Sequence, residues 1–83
     1  MSVIGNEFPQ EHLIELSGLS PFLVGRIVIF EQATLFNVEI DLVQKETGKI
    51  FNHVKSMFNC DDPREALDLA VQYLKDFLDS KKN

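Results

Sequence analysis

The sequence predicts an α+β domain in which a three-stranded antiparallel sheet is packed by one C-terminal amphipathic helix. Three observations carry this expectation. Residues 63–79 repeat their apolar positions at the helical period behind a strong helix-start signal. The stretch "VEIDLVQKETGKIFNHVKSMF" alternates at period two on either side of a glycine turn. Upstream, "GRIVIFEQ" is a β-branched run with apolar residues on both of its faces.

The helix is the best-defined element. Asp62 reads as its N-cap, Pro63 as the first helical position and Glu65 as the third, an Asp-x-x-Glu capping box. At about 100° per residue, Leu67, Ala70, Val71, Leu74, Phe77 and Leu78 form a central apolar stripe, widened on one side by Ala66, Leu69 and Tyr73. The resulting arc of roughly 240° exceeds what packing on one sheet requires. Leu69 and Tyr73 therefore need a second neighbour.

Residues 37–44 and 49–58 read as a β-hairpin closed by a three-residue loop at Glu46–Thr47–Gly48, with Lys45 opposite Lys49. That register places Val38, Ile40 and Leu42 with Ile50, Val54 and Phe58 on the face that receives the helix. On the other face it pairs Asp41 with His53, Glu39 with Lys55 and Val43 with Phe51. The third strand, 24–32, offers Ile27 and Ile29 to one face and Val28 and Phe30 to the other. The connection through "ATLFN" lacks the Gly or Pro of a tight turn. At the N-terminus "PQEHLIELSG" reads as a short helix over 9–17 with Leu13, Ile14 and Leu16 inward, a strand through "HLIEL" being the alternative.

The 83 residues suit one domain, 1–83, burying on folding roughly 60 to 65% of the surface that the unfolded chain exposes. A hydrophobic content of 45%, with seven Phe, is ample for a core but leaves little space for an enclosed substrate pocket. One cysteine forms no internal disulfide, and no Lys or Arg precedes Arg26, so a basic signal region is not expected and a reducing cytoplasm is. Apolar runs such as "IVIF" fall far short of the ~18 residues that cross a bilayer, so no membrane partner is expected. A net charge of −5 opposes binding to nucleic-acid phosphates, because such affinity comes from Lys and Arg displacing counterions.

One stretch gathers reactive side chains. Cys60, Asp61, Asp62 and Glu65 stand where the last strand hands over to the helix, with His53 upstream. The chain has no Cys-x-x-Cys or His-x-x-x-His spacing, and capping is a sufficient cause for the aspartates, so no metal ligand is assigned. Aspartates beside a thiol disfavour thiolate, and the four glycines are isolated rather than gathered in a phosphate loop. No catalytic residue and no cofactor is expected.

The unspent apolar positions are more informative. With the helix on the Val38 face, the opposite face is expected to display Val28, Phe30, Val43, Phe51 and Met57, fringed by charge, while Leu69 and Tyr73 add a second surplus on the helix. These seven residues are the expected dimer or partner surface. The function they suggest is a small acidic interaction module, homodimeric, that regulates, inhibits or chaperones a protein partner, with a basic partner suited to its charge. The alternative is a nucleic-acid-binding or antitoxin-like regulator whose basic surface forms only on dimerisation. The expected order α-β-β-β-α is similar to that of the double-stranded RNA-binding domain, which implies a basic grip at the start of the last helix. That position reads "DDPRE" here, so the similarity is one of topology and carries no motif.

Overall fold

The computed structural model describes residues 8–81, which form four strands and one helix. The strands are β1 (Gln10–Ile14), β2 (Leu23–Gln32), β3 (Leu35–Gln44) and β4 (Ile50–Cys60), and helix α1 spans Pro63–Lys81. They make an antiparallel meander of order β1-β2-β3-β4, with α1 lying across one face. The α+β class and the C-terminal helix agree with expectation. The sheet has four strands rather than three, and the expected N-terminal helix is absent.

That helix is replaced by β1 for a tertiary reason. β2 is buried from Val24 through Ile29 except for Arg26, so its outer edge needs a hydrogen-bonded neighbour. The N-terminal segment supplies it: Ile14 pairs with Gly25, His12 with Ile27 and Gln10 with Ile29. The charges support the same register, since the Arg26 guanidinium donates to Glu11 across the two strands and Lys45 Nζ lies 3.1 Å from Glu15. Gly18, at φ 85°, then starts the turn back towards β2.

β2 and β3 are joined by the tightest connection possible for a hairpin. Gln32 pairs with Leu35 across Ala33 and Thr34, and Ala33 has φ 57°. A positive φ at the first position of a two-residue loop matches the right-handed twist of the strands, which is why this turn forms without the glycine that usually marks it.

The β3–β4 turn differs from expectation. Gln44 N donates to Lys49 O at 2.9 Å and Gly48 N donates to Gln44 O at 2.8 Å, so Lys45 to Gly48 make a four-residue loop. Beyond it, β4 shifts register three times, at Leu42/Val43, Ile40/Asp41 and Phe36/Val38. Asp41 still faces His53. Val43, however, faces Ile50 rather than Phe51, and Glu39 faces Ser56 rather than Lys55. Each extra residue in one strand reverses the faces that strict alternation would assign.

Ile27, Ile29, Val38, Ile40 and Leu42 meet Ala66, Ala70 and Leu74 in the core. The three helical residues stand one turn apart, and two of them are alanines, which lets the helix axis approach β2 and β3 closely. Gly25 takes this furthest: a β-carbon there would sit 2.8 Å from Leu74 Cδ1 and 3.3 Å from Ile14 O. The helix starts as its sequence signal indicates. Asp62 Oδ1 accepts from Arg64 N at 2.9 Å, and Asp62 O accepts the first helical bond from Ala66 N. The reciprocal contact expected from Glu65 is not formed among the described residues.

Candidate functional site: the open face of the sheet

The helix covers one face of the sheet, and alternation along the strands determines what the other presents. At one end Val24, Val43 and Ile50 form an apolar row across β2, β3 and β4. Next comes Leu13, Arg26, Asp41 and His53, one residue from each strand in order. The third row is Glu11, Val28, Glu39 and Ser56. At the far end Phe30 stands opposite Asn37, and Phe58 lies in the bulge between Met57, opposite Val38, and Cys60, opposite Phe36. A polar belt thus runs between two apolar ends.

Within this face Val24, Val28 and Val43 are buried by their neighbours, whereas Leu13, Phe30, Ile50 and Phe58 are 40 to 66% exposed. The belt is internally bonded. His53 Nδ1 lies 2.7 Å from Asp41 Oδ1 and 3.9 Å from Glu39 Oε1. The Ser56 hydroxyl donates to Glu39 Oε2 at 3.2 Å and its oxygen also lies 3.2 Å from His53 Nε2. Asp41 is the one buried charged residue among those described.

Of the seven residues expected to share a surface, three are on this face: Val28, Phe30 and Val43. The register shifts move Phe51 and Met57 off it, and Leu69 and Tyr73 lie on the helix as expected. Met57 pairs with Val38 and packs against the core on the helix side. Phe51 stands at the corner of the helix side, on the wall of a cleft of about 620 Å³ shared with Phe22 and the β3–β4 turn. Tyr73 packs on the core with the Lys55 ammonium 4.9 Å from its ring centre, so it finds its second neighbour within the chain. Leu69 stays exposed on the helix. Ile50 and Phe58, expected beneath the helix, belong instead to the open face. Strict alternation through β4 could not reveal this, because the bulges that relocate them leave no mark in composition.

The cluster considered at the strand-to-helix junction is not assembled. Cys60 packs against the core on the helix side, Asp62 caps the helix, and His53 points from the opposite face. The order β-β-β-β-α also departs from that of the double-stranded RNA-binding domain.

Comparison of the chain with protein-family models, curated proteins and solved structures found no match. Among the described residues no helix is long and apolar enough to cross a membrane.

Proposed function

We propose that this chain is a protein-interaction module that self-pairs through the open face of its sheet. The observation that carries the reading is that Leu13, Phe30, Ile50 and Phe58 remain exposed around buried valines on the one sheet face that the helix does not cover. Two such faces packed on each other give a sandwich, the usual way in which a sheet with a second apolar face buries it.

Charge selects how the copies would meet. A two-fold axis parallel to the strands and between β2 and β3 lays Val24 of each copy on Val43 of the other and sets Arg26 over the carboxylate side of the belt. An axis across the strands would instead set Glu39 against Asp41. The first arrangement matches unlike charges and the second repels, so the first is the one proposed. An acidic net charge of −5 is in keeping with a protein partner rather than a nucleic acid.

Sedimentation equilibrium over a range of concentrations tests this. The wild type is expected to form a concentration-dependent dimer, and Ile50→Glu or Phe58→Glu to yield a folded monomer. Phe51→Glu, on the other side of the sheet, should leave the dimer intact. A wild type that stays monomeric at high concentration, or a dimer lost only with Phe51→Glu, overturns the reading.

A further inference from the structure

We infer that Glu39, Asp41 and His53 form a site for a divalent transition-metal ion on the open face. Glu39 and Asp41 are two apart on β3 and so project to the same side, while His53 stands opposite Asp41 on β4. One ligand atom from each lies within 4.8 Å of the other two. A metal bound at about 2.0 to 2.2 Å separates its ligand atoms by about 3.0 to 3.4 Å. The distances of 2.7 Å and 3.9 Å from His53 Nδ1 to the two carboxylates bracket that spacing. Small side-chain rotations convert one arrangement into the other.

The independent observation is the burial of Asp41. Its side chain is 5% exposed and aimed into the site, on the same face as Val24, Val28 and Val43. A buried carboxylate needs a cation beside it, because desolvation of the charge is otherwise uncompensated. Arg26, directly opposite on β2, does not supply one: its guanidinium turns away to Glu11. The partner of Asp41 is His53 Nδ1 at 2.7 Å, so the balancing positive charge sits either on that imidazole or on an ion that takes the place of the Nδ1 proton between Asp41 and Glu39.

Ser56 completes an outer shell. It has one hydroxyl proton, which goes to Glu39 Oε2, so its contact with His53 is satisfied by a hydrogen on Nε2. Nδ1, 2.7 Å from Asp41 Oδ1, carries a hydrogen in the ion-free chain, and a metal binds there by displacing that proton while the Nε2 hydrogen holds the ring in place, the usual role of a group behind a ligating histidine. Two oxygens and one imidazole nitrogen suit first-row ions such as zinc, cobalt and nickel, and the half-exposed Glu39 and His53 leave room for water to fill the remaining positions. Each copy supplies the whole ligand set, so the inference does not rest on self-pairing.

The test is calorimetric titration of the tag-free full chain with zinc chloride, alongside thermal melts. The expected result is saturable binding of one ion per chain with a rise in Tm, as follows for any ligand that binds only the folded state. Ser56→Ala should weaken binding about tenfold or more, as loss of outer-shell partners does, and His53→Gln and Glu39→Gln by more than that. His12→Gln and Cys60→Ser should leave it unchanged. With cobalt(II), amide resonances around residues 39, 41 and 53 should broaden first, a readout that needs no variant to fold. Absence of saturable binding, equal affinity in His53→Gln, or broadening centred on another part of the chain overturns the inference.

Discussion

Asp41 and His53 are the pair on which the open face turns. Removing only the histidine leaves a buried carboxylate without its partner, a change that typically costs about 1 to 3 kcal/mol. Replacing both by valine should be neutral or stabilising in metal-free buffer, because the face already holds Val24, Val28 and Val43 and well-packed apolar residues commonly match or exceed buried polar pairs. Urea unfolding of His53→Ala and of the Asp41→Val/His53→Val double variant checks both statements. A double variant far less stable than wild type would mean that the pair is structural, and the case for a ligand there would weaken. Ala33 offers a second test at this scale. Its φ of 57° is disfavoured for any residue with a β-carbon, so Ala33→Gly should raise stability by about 1 kcal/mol. Asp62→Ala should lower it by about 1 kcal/mol, and Asp61→Ala by clearly less, since only Asp62 accepts the Arg64 amide.

Among the elements, the contact between α1 and β2 is the least tolerant. The β-carbon introduced by Gly25→Ala would meet Leu74 Cδ1 at 2.8 Å, and because the backbone oxygen of Ile14 closes the other side, the leucine must move. Overpacking of this kind costs typically about 1 to 3 kcal/mol, visible as a lower urea midpoint at unchanged slope. The exposed side of the same helix behaves differently. Leu69→Gln should change stability by no more than about 0.5 kcal/mol, because Leu69 is half exposed and lies outside the core. Strand β4 shows why its faces were hard to assign. A period-two pattern predicts alternation only where each residue of one strand opposes one of the next, and three register shifts within eleven residues break that condition.

For the molecule as a whole, two layers leave half of the sheet's surface without a protein neighbour among the described residues. If that surface closes on a second copy, folding and association are linked, and Tm should rise with protein concentration. Melts across a wide concentration range check this, and Ile50→Glu should remove the dependence along with the dimer. Addition of zinc should raise Tm at every concentration if the ligand set is complete in each copy. A zinc effect confined to the dimer would instead assign the ion to the interface.

The sequence by itself determined what depends on local chemistry: the helix and its Asp62 cap, the existence of a glycine-turn hairpin, the Asp41–His53 pairing and the α+β class. These follow from short-range preferences, in which neighbouring side chains compete for the same orphan backbone groups or share one face. Tertiary structure decided the rest. Residues 10–14 are a strand because β2 has an edge to satisfy, not because their own pattern excludes a helix. The gathering of Glu39, Asp41, His53 and Ser56, and the exile of Phe51 and Met57 from the open face, depend on bulges whose positions are chosen by packing along the whole hairpin. A register shift is a long-range compromise between core burial and ladder hydrogen bonds, and that balance is struck only when the strands meet.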